Sequence, residues 1–454
     1  MCNQIQLTSS NPELTRIFEW ARDTAMSCVR DSTHAVGPWY EASLPNRNAF
    51  CMRDTAHQCI GAALLGLHEQ NENMLGRFLT AIDTTRDYCS YWEIENSGNP
   101  APVDYCNDFD FWYNLPANFD LIDACWRLYE LTGSEALIGT EAFLRFVSQT
   151  LSEYTHTWQL EPDQVMHRSA FPTKGDQSGR FGNARGIPSY DEAHAEITVG
   201  ADLLAAHYCA LNNTAVHLAK TGSPLTEVYQ KRAYELQELI ETRWWDADRR
   251  RYFDFLYSDG SMGGASSAGN LFLLWFGALN NPERVRAALD TLETDQIEPL
   301  SYFPQILYRC GYAEEARSKL QSVYKNTRRE YPEASFAVIE AMISGLMGIV
   351  PSMTDVRVQT VSGLWEHEEA TVTDMPALGG TITVKHMGQA YTRFLNNTGC
   401  EITWRAAFAG NYNEIEVNGV QYGSENTQTS AGMPFCFVDN MVRPGESSVA
   451  RIVM

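Results

Sequence analysis

Residues 50–67 read FCMRDTAHQCIGAALLGL, an apolar run whose first turns carry Arg53, Asp54, His57 and Gln58. After residue 58 the run is dominated by Ala, Leu, Ile and Cys, which is typical of a buried helix. Burying these four polar side chains costs free energy unless each finds a hydrogen-bond partner. The partner is either the protein itself, as an Arg53–Asp54 ion pair that joins two helices, or a ligand rich in hydroxyl groups.

Helical periodicity extends on both sides of this segment, from residue 12 to about residue 348. Apolar residues recur at spacings of three and four, and several segments end at Thr-Gly pairs of the kind that close helices. One helix is predicted from residue 12, and others lie at roughly 54–82, 117–132, 135–157, 195–221, 225–244, 268–279, 282–293, 312–327 and 333–348. Ten or so helices, with weak evidence for two more, predict an array of helical hairpins.

The pattern changes after residue 350, where apolar and polar residues begin to alternate. The segment TITVKHMGQAYTRFLNN (residues 381–397) shows this alternation, and Asn-Gly and Gly-Gly turns separate such segments. We therefore predict a mainly helical domain over residues 1–350 and a small antiparallel β-sandwich over residues 351–454. A β-hairpin is also predicted within residues 244–262.

Charge and composition restrict the possible partners. The formal net charge is −23, which argues against nucleic acid and anionic membranes as partners. No window approaches the ~18 apolar residues of a membrane span, and the first residues show no signal peptide. We therefore expect a cytoplasmic protein, unless a signal peptide has been removed. The sequence does not predict the oligomeric state.

The sequence gives little support to metal or cofactor chemistry. The 11 cysteines are scattered without a CxxC pair, which predicts buried, reduced thiols. Histidines occur singly, and the acidic run at residues 365–369 predicts an exposed face of the β-domain. No phosphate-binding loop, dinucleotide fingerprint or nucleophile elbow is present. We expect no cofactor and no metal.

Two further groups of polar and aromatic residues suit a carbohydrate site. Trp39 and Tyr40 precede the opening helix and are candidates for a pocket wall. Carboxylates, amides and aromatic rings alternate over residues 105–120, which is a composition suited to binding sugars. The candidate ligand-binding residues there are Asp108, Asp110, Trp112 and Asn114. The alternative is a helix cap, for which Asn118 or Asp120 would suffice, with ordinary packing of the aromatic rings.

Two acidic groups open later helices and are candidates for catalysis. Asp191, Glu192 and Glu196 follow a Gly/Pro loop just before an apolar helix. They are either partners of the helix dipole or include a carboxyl group whose raised pKa makes it a general acid. Glu333 follows Pro332 at the start of the last apolar helix, while Glu340 lies seven residues further on, as a core carboxyl group with a partner or a supporting group.

The order of these clusters resembles the six-hairpin glycosidases, namely glucoamylase, trehalase, processing α-glucosidase and α-L-rhamnosidase. CMRDTAHQ looks like their Trp-Thr-Arg-Asp segment, although Met52 replaces the usual aromatic residue. RGIPSYDEAHAEITVGADLL lies where those enzymes place the general acid, and REYPEASFAVIEAM resembles the late segment with the general base. The segments AFCMRD, FWYNLPANFD, RGIPSY and YPE are most similar to an uncharacterised bacterial-type group of such proteins.

This resemblance implies an (α/α)6 barrel followed by a β-sandwich, and an inverting, exo-acting hydrolase of an oligosaccharide or glycoside. Glu192 is the expected general acid, with Asp191 and Glu196 as alternatives. Glu333 is the expected base, with Glu330 in reserve. The residues expected to hold the sugar are Arg53, Asp54, His57, Trp39, Tyr40, Asp108, Asp110, Trp112, Asn114 and Tyr190.

Three other functions remain open from the sequence. A polysaccharide lyase on a helical toroid would use a set such as Tyr190, His194, Asn183 and Arg185. A non-catalytic sugar-binding protein would show the same clusters without turnover. A sugar epimerase on the same barrel would need paired histidines in the pocket.

Overall fold

The structure is a computed structural model that describes residues 5–169, 179–182, 184–192, 196–264 and 268–453. These residues contain twelve α-helices of eight or more residues. They are α1 (Pro12–Ser27), α2 (Met52–Leu64), α3 (His68–Thr80), α4 (Pro116–Thr132), α5 (Glu141–Gln149), α6 (Ala201–Thr221), α7 (Leu225–Arg243), α8 (Ala268–Trp275), α9 (Pro282–Leu289), α10 (Ile297–Cys310), α11 (Ala313–Lys325) and α12 (Pro332–Glu340). Helix α5 continues through a π-helical turn, Thr150–Tyr154, and a short α-helical turn, Thr155–Thr157, and α12 continues through a π-helical turn, Ala341–Leu346. Two 3-10 turns lie at Thr84–Arg86 and Val165–His167.

The even-numbered helices form a closed inner ring. Each of them contacts the next even-numbered helix, and α12 packs back against α2. The odd-numbered helices lie outside this ring: α1 packs on α12, α3 on α2, α7 on α6, α9 on α8 and α11 on α10. The predicted (α/α)6 barrel is therefore confirmed.

Burial explains which helices lie inside. In α2 every residue except Arg53 is buried, as expected for a helix surrounded by protein. Helix α11 is amphipathic instead, and it buries Ala316, Leu320 and Val323 on one face. Gly61 allows α2 to approach α12 closely, because a Cβ atom there would lie 2.2 Å from the backbone oxygen of Phe336.

The strands fall into two large sheets, one three-stranded sheet (β12-β11-β8) and four short pairs within the described residues. They are β1 (Gln6–Ser9), β2 (Ala49–Cys51), β3 (Glu93–Glu95), β4 (Tyr105–Asn107), β5 (Asp110–Phe111), β6 (Tyr113–Asn114), β7 (Arg185–Ile187), β8 (Ile197–Gly200), β9 (Trp245–Asp246), β10 (Arg251–Tyr252), β11 (Phe255–Tyr257), β12 (Met262–Gly263), β13 (Val350–Ser352), β14 (Arg357–Val361), β15 (Glu369–Ala377), β16 (Gly380–Met387), β17 (Tyr391–Asn397), β18 (Ile402–Ala409), β19 (Glu414–Val417), β20 (Val420–Gly423), β21 (Glu425–Gln428), β22 (Pro434–Val442) and β23 (Ser447–Ile452). Two sheets, ordered β1-β15-β16-β17-β23-β19-β20 and β13-β14-β18-β22-β21, form the C-terminal domain.

The two sheets pack face to face, and the ring of Phe394 on β17 stacks on that of Trp404 on β18. Their pairs are antiparallel except for β14 and β18, which run parallel with Val358 opposite Trp404. The sandwich is thus mixed at one pair rather than purely antiparallel. Strand β1, near the start of the chain, pairs with β15, so residues outside 351–454 also belong to this sheet.

Several element boundaries differ from those predicted. The segment predicted as one helix over 54–82 forms α2 and α3, with a break at Leu65–Leu67. The helix predicted from residue 195 begins at Ala201, because β-branched Ile197, Thr198 and Val199 pair with β11 instead. Helix α10 was not predicted at all. The predicted hairpin in residues 244–262 consists of two short pairs, β9 with β10 and β11 with β12.

Two features of composition have simple structural outcomes. All ten cysteines in the described ranges are free, and eight of them are buried. Within the same ranges, no helix is both long and apolar enough to cross a bilayer.

Candidate active site

The candidate site lies at the end of the barrel where the inner helices begin. Arg53 and Asp54 lie in the first turn of α2, and Glu333 lies in the first turn of α12. Asp120 lies on α4, five residues into the helix, and Tyr302 comes from the middle of α10. Closure of the ring brings these positions, which are far apart in sequence, to one mouth.

Arg53 and Asp54 bond to each other, but they do not join two helices. The Nε atom of Arg53 donates to Oδ1 of Asp54 over 3.1 Å, and both residues belong to α2. The guanidinium group lies over the rings of Trp92 and Tyr190, 5.8 and 5.5 Å from their centroids. In the described part of the chain, its Nη1 and Nη2 atoms make no hydrogen bond, and the side chain is 24% exposed. Those donors are therefore accessible to a ligand.

His57 links α2 to the candidate base through a tyrosine. Its Nδ1 atom lies 2.7 Å from the hydroxyl group of Tyr302, and that hydroxyl group donates to Oε1 of Glu333 over 2.5 Å. The rings of five aromatic residues surround the imidazole, with centroids 5.7 to 6.2 Å away: Tyr190, Phe272, Trp275, Phe276 and Tyr302. His57 is thus fixed in a dry, aromatic environment.

Asp120 completes the floor of the site. Its Oδ1 atom accepts a hydrogen bond of 2.6 Å from the hydroxyl group of Tyr190, and the same atom lies 3.6 Å from Nε2 of His57. Asp120 was named from the sequence only as a possible helix cap. Below it the barrel interior is filled, because Arg127 and Gln305 both donate to Glu340. Glu340 is therefore a core carboxyl group with partners.

The loop that carries Glu192 is anchored on both sides. Strand β7 pairs in parallel with β6, and buried Asp202 accepts hydrogen bonds from the hydroxyl group of Ser189 and from the backbone of Tyr190. Burial raises the pKa of Asp202 to about 6, although these bonds act against the rise. Gly186 is needed in this loop, because it has a φ of 82° and a Cβ atom there would lie 2.2 Å from the Trp158 ring.

Glu192 lies at the border of the site and faces solvent. Its Oε1 atom accepts a hydrogen bond of 3.1 Å from Nδ2 of buried Asn114. The pKa of Glu192 is raised above its ordinary value, chiefly because the protein desolvates its inner side, while Arg53 lowers it and Asp54 raises it further. Asp191 is half-buried next to it, and Glu196 is exposed.

Glu333 is only 4% exposed, and its carboxyl group has a pKa above that of an ordinary glutamate. Burial raises its pKa to about 7, and the neighbouring Asp54 carboxylate adds to the rise. Arg53, the hydrogen bond from Tyr302 and His57 lower the pKa, but they do not cancel the effect of burial. The pKa of Asp54 is also raised by burial, against the opposing charge of Arg53. A carboxyl group whose pKa lies near neutrality is suited to proton transfer.

Three buried polar atoms at the site lack partners among the described residues: Nε2 of His57, Oδ2 of Asp120 and Oδ1 of Asn114. Such atoms are costly to leave unsatisfied, and together they offer acceptors and a switchable imidazole nitrogen. A ligand with several hydroxyl groups would satisfy them.

Two of the predicted site residues belong to the core instead. Trp39 and Tyr40 are fully buried. The indole nitrogen of Trp39 donates to His34, and the hydroxyl group of Tyr40 donates to Asn71. The structure does not bring these rings to the group around Arg53.

Asp108 and Asp110 also have structural partners. Asp108 accepts hydrogen bonds from Arg86, Tyr105 and Thr85, and these bonds outweigh burial and lower its pKa. Asp110 accepts from the backbone N–H groups of residues 180 and 181. Both carboxylates brace loops beside the site and do not join it.

The remaining predicted residues lie at the periphery. Trp112 is half-buried and lies near Trp92, Glu93 and Asp104. Desolvation raises the pKa of Asp104 to about 7, and its neighbour Glu93 contributes to the rise. Glu330 has a side chain that is 71% exposed, and it pairs with Arg329 at 3.6 Å on the surface.

The residues considered for a lyase are not assembled in the described ranges. Arg185 is held by Asp87 and by the backbone oxygen of Phe109. Tyr190 lies at the site, but its hydroxyl group is bonded to Asp120. His194 and Asn183 lie outside the described residues.

Sequence reasoning missed Tyr302, which lies on the one long helix that it failed to predict. The segment IEPLSYFPQILYRC contains Pro304, which weakens a helical prediction, although the buried face around Leu300 and Phe303 follows helical spacing.

Within the described residues, one other part of the molecule has a cavity, but it lacks the polar groups of this site. A cavity of about 270 Å³ lies at the opposite end of the barrel, between α3 and α4, near His68 and Asn71. None of the unpaired buried atoms found in the described ranges lies on its walls. Over the same ranges, no group of three or more His, Cys, Asp or Glu side chains is arranged to hold a metal ion.

Comparisons with known proteins agree with the fold. The family model for trehalase matches residues 138–308, a segment that contains Glu192 but ends before Glu333. No curated protein sequence matches the chain.

Solved structures extend this similarity over most of the chain. A rhamnosidase of family GH78 from Bacillus sp. GL1 is 15% identical, with a TM-score of 0.63, and the match covers 87% of this chain and 41% of that one. An α-L-rhamnosidase from Dictyoglumus thermophilum is 11% identical, with a TM-score of 0.59, over 99% of this chain and 50% of that one. A rhamnosidase from Klebsiella oxytoca with rhamnose bound is 14% identical, with a TM-score of 0.54, over 76% and 66% of the two chains. The chain thus spans about half the length of the first two rhamnosidases, and it shares with all three the six-hairpin fold predicted from the sequence.

Proposed function

We propose that the protein is an inverting, exo-acting glycoside hydrolase that releases a sugar from an oligosaccharide or glycoside. The observation that carries this proposal is the set of three buried atoms on His57, Asp120 and Asn114 that lack partners among the described residues, with His57 linked to Glu333 through Tyr302 and Asn114 bonded to Glu192. The free donors of Arg53 add to this set. Such a site is built to bind hydroxyl groups next to a carboxyl group that can exchange a proton.

The two carboxyl groups have distinct roles in the proposal. Glu192, whose pKa is raised, protonates the glycosidic oxygen, and Asp191 and Glu196 are its alternatives. Glu333 accepts a proton from the attacking water on the opposite face of the sugar. In an inverting enzyme the two carboxyl groups stand ~6.5–9.5 Å apart to leave room for that water.

The closed floor of the site favours exo action. Arg127, Gln305 and Glu340 form a hydrogen-bonded cluster deeper in the barrel than Asp120, which supports entry of a sugar chain from the end where the inner helices begin. The terminal sugar then lies against His57, and the aglycone points towards Glu192 and solvent.

The test is a hydrolysis screen of the protein beside its Glu333→Gln variant. Aryl glycosides and natural oligosaccharides are offered, beginning with α-L-rhamnosides, α-mannosides and trehalose because the similar proteins carry rhamnosidase, mannosidase and trehalase names. We expect one sugar to be released by the parent and not by the variant. Proton NMR of the first-formed anomer then tests inversion.

Two outcomes would overturn the proposal. Binding of a sugar without any turnover would make the protein a sugar-binding protein. An unsaturated product that absorbs ultraviolet light would make it a lyase.

A further inference from the structure

Four buried side chains, each from a different inner helix, form one row that ends at Glu333. Asp120 on α4 lies beside His57 on α2, His57 bonds to Tyr302 on α10, and Tyr302 bonds to Glu333 on α12. We propose that Asp120, His57 and Tyr302 compete with Glu333 for one proton, so that a larger fraction of Glu333 is ionised and able to act as a base than its burial alone would leave. This inference rests on the proposed function, because it assigns positioning residues to the proposed base.

The row is buried, and two of its three links are hydrogen bonds, while His57 Nε2 and Asp120 lie in charge contact. Its links are 3.6 Å from Asp120 Oδ1 to His57 Nε2, 2.7 Å from His57 Nδ1 to the Tyr302 hydroxyl oxygen, and 2.5 Å from that oxygen to Glu333 Oε1. None of the four residues is more than 6% exposed. Because water does not compete for these groups, each link is stronger than it would be at the surface.

The single proton of Tyr302 couples the two ends of the row. When Glu333 is ionised, Tyr302 donates to it and accepts from an Nδ1–H of His57. When Glu333 carries a proton towards Tyr302, the tyrosine donates to an unprotonated Nδ1 instead. The protonation state of Glu333 therefore determines whether Nδ1 of His57 carries a proton.

The same proton can lie on His57 or on Glu333, and the total number of protons in the row is equal in the two states. In the first state His57 is an imidazolium, with Nδ1–H towards Tyr302 and Nε2–H towards Asp120. Transfer breaks the Nδ1–H bond and forms an O–H bond on Tyr302, while the former tyrosine proton moves to Oε1 of Glu333. In the second state His57 is neutral, Glu333 is a carboxylic acid and Asp120 stays ionised.

Charged groups face the row from three inner helices. Carboxyl groups lie near His57 on α2, α4 and α12, and Arg53 on α2 lies beside Asp54. The groups facing the row are Asp54, Asp120, Asp123, Glu333, Arg53, Tyr190 and Tyr302, with Arg127 next to Asp123. In this proposal a proton on His57 lies between the carboxyl groups of Asp120 and Glu333 and leaves Glu333 free to act as a base, whereas a proton on Glu333 removes the base.

The first experiment measures the protonation of His57 directly and needs no substrate. The ring nitrogens of ¹⁵N-labelled histidine are followed by NMR across pH, and the signals of His57 are assigned with a His57→Gln variant. We expect the ring of His57 to change protonation in step with Glu333 in the wild type, and this step to be altered in both Glu333→Gln and Tyr302→Phe. Tyr302→Phe is decisive, because it removes the bridging hydroxyl group and leaves the charge of Glu333 in place.

The second experiment uses the pH profile of kcat/KM. Without the row, Glu333 binds its proton more tightly, so the acid limb should move to higher pH by about one unit in Tyr302→Phe and in His57→Gln. The double variant should move no further than Tyr302→Phe alone. Tyr331→Phe is the matched control, because Tyr331 lies near Glu333 but its hydroxyl group makes no hydrogen bond among the described residues.

The outcomes separate this inference from the proposed function. Identical titration of His57 in the wild type, Tyr302→Phe and Glu333→Gln overturns the row, whatever the protein hydrolyses. An active wild type whose acid limb stays in place in Tyr302→Phe overturns it as well. A wild type that hydrolyses no glycoside overturns the proposed function, and the NMR titration still decides whether the four residues share a proton.

Discussion

The two carboxyl groups proposed for catalysis are held in opposite ways. Glu333 lies on an inner helix, is almost fully buried, and is bonded to a tyrosine that is itself fixed by His57. Glu192 lies on a loop and faces solvent, and among the described residues its one hydrogen bond comes from Asn114. The protein thus sets the protonation of one group almost entirely by its own packing, whereas the other still exchanges freely with water.

This difference suggests how the two groups would respond to a substrate. Desolvation raises the pKa of a carboxyl group, and a bound sugar would desolvate Glu192 much more than Glu333, which is already dry. The environment of Glu333 is therefore set before the substrate binds, whereas the pKa of Glu192 would rise further when the substrate binds. The following predictions test this contrast, beginning with the largest expected effect.

Replacing Glu333 by Gln should cause the largest loss. Removing a general base lowers kcat by about 10³-fold or more, and the shape of the site is kept because Gln can still bond to Tyr302. The measurement is kcat on the best glycoside found. Glu330→Gln is the control, because this exposed residue three positions earlier should change kcat by less than about twofold. Equal activity of the two variants would remove Glu333 as the base.

Replacing Glu192 by Gln should have a large effect that depends on the leaving group. Loss of the general acid should lower kcat/KM by about 10²-fold for a natural linkage, and much less for an aryl glycoside whose leaving group needs no proton. Glu196→Gln and Asp191→Asn are measured beside it. If one of these shows the leaving-group dependence instead, the acid role passes to that residue.

The buried carboxyl group of Glu333 should make the free energy of unfolding depend on pH. The folded-state pKa of Glu333 is about 7, against an ordinary value of 4.5, so the folded protein keeps a proton that the unfolded chain releases between these pH values. The stabilisation present below pH 4.5 is lost as pH rises to about 7, by up to ~1.4 kcal/mol per pH unit for one proton.

Urea unfolding of the wild type and Glu333→Gln at several pH values measures this loss. The free energy of unfolding should fall more steeply with pH in the wild type than in the variant. A difference of the opposite sign, or parallel curves, would show that Glu333 is ionised in the folded protein throughout this range.

The smallest effect is expected for Arg53→Lys. The charge beside Asp54 is kept, but the planar guanidinium group over Trp92 and Tyr190 and its two free donor nitrogens are lost. We expect KM to rise about tenfold with kcat little changed, as for a lost contact that is equal in ground and transition states. A fall in kcat at constant KM would place Arg53 in the chemical step.

The sequence predicted the helices well because their evidence is local, whereas closure of the helices into a barrel was implied by the resemblance to six-hairpin glycosidases. Helical spacing and Thr-Gly ends identify the buried helices, and Glu333 was found because it opens one of them directly after Pro332. Helix α10 was missed because Pro304 interrupts its pattern, and Tyr302 was missed with it. Trp39 and Tyr40 were placed in the site by their neighbours in sequence, but packing turns both rings into the core.

What could not be predicted are the relations between distant segments. Asp120 and Tyr190 are 70 residues apart, and their hydrogen bond exists only because the ring of helices closes. The same applies to Asn114, whose amide reaches Glu192 through the pairing of β6 with β7. A single sequence carries no local signal for such pairs.

Strand β1 has a practical consequence for anyone who cuts the gene at residue 350. Gln6–Ser9 would lose every hydrogen bond to β15, and Leu7, which is 3% exposed, would be uncovered. The cut would also separate Arg317 of α11 from Glu368, which accepts two hydrogen bonds of 2.7 and 2.8 Å from its guanidinium group. The isolated barrel fragment would therefore contain a strand without its sheet partner and an arginine without its carboxylate. The shortest useful expression unit retains both sheets.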